Sequence, residues 1–272
     1  MDAPRRGTHR DADGTGGTVM YAEERQQAIL ALARSKGRVD VVALAEEFSV
    51  TTETIRRDLT VLERAGTVRR VHGGAMPVER LGFEPELAAR DAVMTEEKQR
   101  IAKAALEELP ADGSVIVDAG TTTSRFVQLL PTDRELTVIV NSPPHAAVLA
   151  TRPNLTVIIL GGRVRGRTLA TVDDWVLRPL ADLWVDVAFM ATNGCSVERG
   201  LTTSDQAEAA VKRAMIASSR RRVLLADRTK IGHDHLVRFG GLADIDVLIT
   251  DTGLDTDLAA DLAAAGPEVV RA

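Results

Sequence analysis

The chain has 272 residues, 44% hydrophobic and 27% charged, with 34 basic and 39 acidic side chains and a formal net charge of −5. That length suits two domains, and that balance excludes a chain disordered throughout. The single cysteine, Cys195, excludes an internal disulfide framework and a cysteine-based zinc site. No apolar run approaches the roughly 18 residues of a membrane span. With a net acidic chain, any affinity for nucleic acid has to come from local arrangement.

Residues 1–20 are polar and glycine-rich and read as a flexible tail, without an apolar stretch to serve as a secretory signal. A cytoplasmic protein is expected. Tyr21, Arg25, Ile29, Leu32 and Ala33 fall at helical spacing, and Gly37 supplies a stop. Val41, Leu44, Ala45 and Phe48 mark a second helix, broken at residues 49–51. A third is expected over residues 52–65, with Ile55, Leu59 and Leu62 buried and Gly66 as its cap. Two helices with a short break between them fit a helix-turn-helix. The outer face of the third then presents Thr52, Glu53, Arg56, Arg57 and Thr60. Threonines at a helix N-terminus suit phosphates and base edges, and arginine can take a guanine bidentately. Residues 67–71 read as a strand bearing Arg69 and Arg70. With His72 and the Gly73-Gly74 turn they suggest a wing. Helical hairpins with surface arginines are common, however. Glu46, Glu47, Glu53, Asp58 and Glu63 nearly balance the charge, so the pattern alone leaves DNA binding and an ordinary polar surface both open.

A linker is placed at residues 77–95, which carry Pro77, Gly82 and Pro85 without a strong period. Beyond it, helices are expected over 96–109 and 124–130. They alternate with the apolar runs SVIVD, LTVIVN, TVIILGG, VDVAFMATNG, RVLLAD and DVLIT, a pattern of βα units around a mostly parallel sheet. Functional loops belong at the carboxyl ends of such strands. Asp118, Gly120, Thr121, Thr122 and Thr123 form one of them. It offers close backbone approach, hydroxyls and a helix start, which suits a phosphate and equally an N-capped turn. Thr192, Asn193 and Gly194 follow another strand, and Asp227 and Lys230 a third. Glu208 and Lys212 stand one helical turn apart and suit either a ligand or a surface ion pair. Arg163, Arg165 and Arg167 bring three guanidinium groups to one loop. Cations for a phosphate, with acids and amides for hydroxyls, suit a phosphorylated polyol. Cys195 has no base beside it in sequence and reads as an ordinary small residue. His233 and His235 have no third ligand cluster near them and read as a polar loop.

The run TTETIRRDLTVLERAG followed by VRRVHGGA resembles the N-terminal winged helix of the DeoR family of bacterial transcription regulators. Thr54-Ile55-Arg56-Arg57-Asp58-Leu59 stands where the family has its recognition-helix core, and His72-Gly73-Gly74-Ala75 where its wing ends. Thr51 replaces a common Ser and can make the same N-cap bond. The DNA-binding set is therefore Thr51, Thr52, Thr54, Arg56, Arg57, Thr60, Arg69, Arg70, His72, Gly73 and Gly74. The similarity continues to about Gly253, which divides the chain into a tail (1–20), a winged helix-turn-helix domain (21–76), a linker (77–95), an α/β sensor domain (96–253) and a C-terminal helix and tail (254–272). It implies a sensor similar in fold to ribose-5-phosphate isomerase and glucosamine-6-phosphate deaminase, with residues 118–123 holding the phosphate. Glu208, Lys212, Asp227 and Lys230 match positions recurrent in that sensor, while Arg228 and Ile231 depart from its commonest residues. The effector set adds Asp118, Gly120, Thr121, Thr122, Thr123, Arg163, Asn193 and Gly194. The resemblance implies a repressor of a carbohydrate-uptake or catabolism operon, working as a homodimer or homotetramer on double-stranded operator DNA, without metal or cofactor. Its nearest members imply fructose 1-phosphate or a hexose 6-phosphate as inducer. The rival is a sugar-phosphate isomerase or deaminase with an appended DNA-binding domain. The related isomerases carry an acid-rich Asp-Gly-Ala-Asp-Glu stretch where Ala191-Thr192-Asn193-Gly194-Cys195 has no carboxylate. A transcriptional activator is a third possibility.

Overall fold

The computed structural model describes residues 21–65, 67–71, 73–77, 84 and 86–272. The expectations placed on residues 1–20, Gly66, His72 and most of the stretch 78–85 lie outside them.

Helix α1 (Ala22–Lys36) ends as its sequence demands, with the Gly37 N–H donating to the Ala33 carbonyl. The two-residue strand β1 (Val39–Asp40) leads directly into α2 (Val41–Glu47), whose start is capped by the Asp40 carboxylate on the Val42 and Ala43 amides. Helix α3 (Thr52–Arg64) is capped by Thr51, which accepts from the Thr54 amide at 3.2 Å. Strands β2 (Val68–Val71) and β3 (Gly74–Pro77) make an antiparallel hairpin, and β1 joins its outer edge to give the order β1-β3-β2. Ile29, Ala33, Leu44, Ile55, Leu59, Leu62 and Val68 close the core between helices and hairpin.

Beyond the hairpin, α4 (Leu87–Asp91) lies within the stretch expected to be linker. Helix α5 (Thr95–Ala104) tightens into a 3₁₀ turn over Ala105–Glu108 where one continuous helix was expected. Seven parallel strands then build the larger unit: β4 (Gly113–Val117), β5 (Leu136–Val140), β6 (Leu155–Ile159), β9 (Val185–Ala191), β12 (Ser219–Leu225), β14 (Val247–Thr250) and β15 (Glu268–Arg271). Between them come α6 (Thr121–Leu129), α7 (Pro143–Leu149), the β7 (Arg163–Arg165) and β8 (Ala170–Val172) hairpin, and α8 (Asp174–Ala181). Strands β10 (Gly194–Ser196), β11 (Gly200–Thr203) and β13 (Val237–Gly240) form a small antiparallel sheet. Helices α9 (Gln206–Ala217) and α10 (Thr256–Ala264) complete the chain.

The six apolar runs read as strands all lie in this sheet. The C-terminal tail is a correction: residues 268–271 extend the sheet beside β14. Successive residues of the central strands β4, β9, β12 and β14 feed opposite cores. Ile116, Ala188, Met190, Leu224 and Leu248 pack on one face, and Val117, Val187, Phe189, Val223 and Ile249 on the other. Burial on both faces explains why these segments read as unbroken apolar runs.

The strand order β15-β14-β12-β9-β4-β5-β6 reverses direction between β4 and β9. In such sheets the crevice at the carboxyl ends of the two diverging strands is where a ligand fits. Residues 118–123 follow β4 there, and residues 192–194 follow β9.

Candidate functional site

The outer face of α3 is as its periodicity predicts. Ile55, Leu59 and Leu62 are buried, Arg56 and Arg57 are exposed, and Thr52 and Thr54 are half-buried. Arg56 lies 3.7 Å from Glu53, a loose surface pair that leaves its side chain 54% exposed. Asp58 corrects the charge balance drawn for this face. It is buried and accepts from Arg25 Nε at 2.6 Å and Gln26 Nε2 at 2.9 Å, so it clamps α3 to α1. Arg25, placed by spacing on an apolar stripe, is the other half of that clamp. Thr60 turns its hydroxyl back to the Arg56 carbonyl and accepts from Arg70 Nη1 at 3.3 Å, tying hairpin to helix. Gly73 has φ +74°, and a Cβ on Gly74 would stand 1.9 Å from the Val39 carbonyl oxygen, so the turn needs both glycines. Arg69 points the other way. Its Nη2 donates to Asp234 Oδ2 at 2.7 Å, while Ser196 Oγ donates to Oδ1 of the same carboxylate at 2.6 Å.

At the β4–β9 crevice, Asp118 accepts from the Ala191 amide at 3.1 Å. A Cβ on Gly120 would lie 2.9 Å from that of Ala191, so glycine lets the two strand ends close together. Helix α6 starts at Thr121, three residues earlier than its sequence suggests, so the threonines form its first turn and not a loop. Thr121 and Thr122 line a cavity of about 30 Å³, together with Thr192, Asn193, Glu208, Lys212, Asp227 and Lys230. Thr123 is turned inward, its hydroxyl on the Gly120 carbonyl. Gly194 sits in β10 with its carbonyl accepting from Thr192 and Thr202.

One expectation is corrected. Arg163 is exposed and pairs with Asp173 at 2.7 Å, away from the crevice. Its neighbours take the place assigned to it. Arg165 Nη1 donates to Glu208 at 3.0 Å, and Arg167 reaches the Glu84 carbonyl. Of the two readings open for Glu208 and Lys212, the surface ion pair is excluded, because both side chains are buried. Lys212 Nζ bonds Asp118 and, at 2.9 Å, the Ala191 carbonyl, while Glu208 accepts from Thr168 and Arg165.

Glu84, Arg90 and Thr168 line the site and escaped the sequence, as did Lys98 behind it. Glu84, from the linker, is buried against Arg165, Asn193, Ser204 and Arg90. Burial would raise its carboxyl pKa, but Arg90 and the bonds donated by Arg165 and Asn193 outweigh burial and hold it below the usual carboxylate range. Glu208, with Glu84 close by, is pushed up, chiefly by burial. Arg90 belongs to α4. Lys98, on α5, is fully buried and donates to the carbonyls of Arg90 (2.5 Å) and Val93 (2.6 Å), fixing the end of α4; burial pushes its pKa down to about 8. A signal existed only for Lys98, a cation one turn into a helix whose apolar neighbours are buried.

Cys195 is buried in the core, its thiol pushed up to about 12 by burial, far from a thiolate at neutral pH. His233 and His235 lie in a loop ahead of β13, as expected, and both are buried there. Among the described residues no group of three or more His, Cys, Asp or Glu is placed to hold a metal ion, and no helix is long and apolar enough to cross a membrane.

The sequence matches the DeoR-like helix-turn-helix domain over residues 25–80 and the DeoR C terminal sensor domain over residues 93–252. It is 36% identical over 252 residues to the HTH-type transcriptional regulator GlpR of Haloferax volcanii, covering 93% of this chain and 98% of that protein. It is 30% identical over 232 residues to the glycerol-3-phosphate regulon repressor of Escherichia coli K12, covering 85% and 92%. Among solved structures, ribose 5-phosphate isomerase A from Methanocaldococcus jannaschii aligns with 51% of this chain and 55% of its own, at 14% identity and a TM-score of 0.38. Likeness at that level speaks to neither activity nor ligand.

Proposed function

The chain belongs to the DeoR family of DNA-binding transcription regulators, and on that premise we propose that it represses a carbohydrate-uptake or catabolism operon until a phosphorylated sugar binds at the β4–β9 crevice. Residues 21–76 act as the DNA-binding unit, 96–253 as the sensor and 77–95 as the connection. The observation that carries this reading is the gathering of Arg90, Lys212 and Lys230 with Thr121, Thr122 and Asn193 around one cavity at the sheet's switch point. Cations there suit a phosphoryl group, and amides and hydroxyls suit a sugar. The relative named for the glycerol-3-phosphate regulon supports an organophosphate effector; fructose 1-phosphate and the hexose 6-phosphates are the specific candidates. A helix-turn-helix reads paired half-sites, so the working form is a homodimer or homotetramer. Induction requires that the ligand bind the DNA-incompetent arrangement more tightly. An isomerase or deaminase is disfavoured by residues 191–195, which bring no carboxylate to the crevice.

The test is fluorescence anisotropy with promoter DNA from the operon beside the protein's own gene, titrated with fructose 1-phosphate, glucose 6-phosphate and glycerol 3-phosphate. One of them should weaken operator binding at least tenfold, a coupling of about 1.4 kcal/mol. Indifference to all three, or turnover of a pentose or aminohexose phosphate, would overturn the reading.

A further inference from the structure

Among the described residues of the connecting segment, Glu84 brings a carboxylate into the crevice, and it is held the way an anionic ligand would be. Its Oε1 accepts from Asn193 Nδ2 at 2.8 Å and faces Arg90 Nη1 at 3.2 Å. Its Oε2 accepts from Arg165 Nη1 at 2.5 Å and Ser204 Oγ at 3.0 Å. These partners come from four separate places in the fold: α4, the end of β7, the loop after β9 and the end of β11. They converge on one side chain that no sequence period placed there.

The seat is larger than the group filling it. Among the described residues, Arg90 Nε and Nη2 are buried and have no hydrogen-bond partner. Two carboxylate oxygens cannot reach every donor in the seat, whereas a phosphoryl group offers three oxygens and up to two charges. The cavity alongside is only about 30 Å³ and holds little more than water. It shares Gly120, Thr121 and Thr168 with a neighbouring cleft of about 670 Å³. That cleft has room for a sugar, but the cationic end is closed by Glu84.

We propose that Glu84 is an internal counter-ligand: its carboxylate fills the seat of the effector's anionic group, formed by Arg90, Arg165, Asn193 and Ser204, so that effector and linker exclude one another. This rests on the reading of the crevice as an effector site and adds how occupancy is communicated. Glu84 lies seven residues beyond Pro77, the last residue of β3. Seven residues span at most about 25 Å, so while Glu84 is seated the winged domain is held on a short tether. When an anion takes the seat the anchor passes from Glu84 to α4, and the DNA-binding unit is left tied to the sensor by a longer connection and by the Arg69–Asp234 pair.

The experiment uses the full chain with Glu84→Ala and Glu84→Gln, titrated calorimetrically with inorganic phosphate. Emptying the seat should tighten phosphate binding at least tenfold in Glu84→Ala, with Glu84→Gln between it and the wild type. Should Glu84→Ala fail to fold by circular dichroism, the near-isosteric Glu84→Gln decides alone. Phosphate binding no tighter than wild type overturns the proposal. Operator titrations of the same proteins with and without fructose 1-phosphate and glucose 6-phosphate separate it from the regulatory reading. Tighter phosphate binding with an operator complex indifferent to both sugars leaves the seat standing and removes its regulatory use. A sugar that releases operator with the same affinity for wild type and Glu84→Ala removes the seat and leaves regulation intact.

Discussion

Arg56 and Arg57 stand side by side on the exposed face of α3, while the acid that follows them, Asp58, is folded under the helix onto Arg25. The local charge of the recognition face is therefore more positive than the sequence implies, because one of its acids is already neutralised inside. Arg57→Ala should weaken operator binding by about 1–3 kcal/mol if it takes a base bidentately, with relaxed specificity at one position. A phosphate contact would instead weaken all sequences alike and flatten the salt dependence. Gel-shift titrations at several salt concentrations distinguish the two, and unchanged affinity in both Arg56→Ala and Arg57→Ala removes this face from the DNA. At the crevice, Lys212 is bound to Asp118, which changes what its removal would do. Lys212→Met strands a buried carboxylate, and breaking such a pair from one side costs about 3–5 kcal/mol. Urea denaturation should show that loss, and adding Asp118→Asn to Lys212→Met should recover part of it. A single variant as stable as wild type would mean that Asp118 finds another donor.

The hairpin β2–β3 is held at both ends of its reach. Arg70 leans back on α3 through Thr60, and its amide donates to Glu63 at 3.1 Å. Arg69 reaches across to Asp234 of the sensor domain, in the stretch between the 3₁₀ turn at Arg228–Lys230 and β13. A guanidinium bound to a carboxylate is not available to a DNA phosphate, so on the proposed assignment of Arg69 to the DNA-binding set this ion pair competes with operator binding. Asp234→Asn should free Arg69 and tighten operator binding by up to about 1 kcal/mol, the scale of a partly exposed pair. It should also steepen the dependence on salt by about one phosphate contact. Anisotropy titrations at 50 to 200 mM salt measure both. If Asp234→Asn and wild type give the same slope and affinity, Arg69 plays no part in the DNA complex.

For the whole molecule, local signals carried the architecture and distant pairings were silent. The core of the winged unit is legible because Ile55, Leu59 and Leu62 recur at helical spacing and Thr51 caps their helix. The parallel sheet is legible because burial on both faces leaves uninterrupted apolar runs. Strand β15 is not, because it is a four-residue edge strand with charged ends, Glu268 and Arg271, and reads as tail. Arg163 and Arg165 differ by two positions on one strand, so no periodicity tells the exposed one from the one at the crevice. Glu84 is invisible for a related reason: its partners lie up to 120 residues away and its own segment has no period. Buried histidines are equally hard to foresee, and they contribute to the molecule's response to acid. His145 is buried on α7 beside the 670 Å³ cleft, and burial pushes its pKa from 6.5 down to about 4. Above about pH 6.5 neither the folded nor the unfolded chain protonates it, and below about pH 4 both do. In between only the unfolded chain binds the proton, so stability is lost as pH falls from 6.5 to 4, by up to about 3 kcal/mol from this residue. Carboxylates contribute to acid unfolding as well, but a variant shares them. His145→Gln should therefore unfold less steeply than wild type between those pH values, with the two curves parallel above pH 7. Urea denaturation at half-unit steps measures the difference. Parallel curves throughout would mean that His145 accepts its proton inside the folded protein as readily as outside.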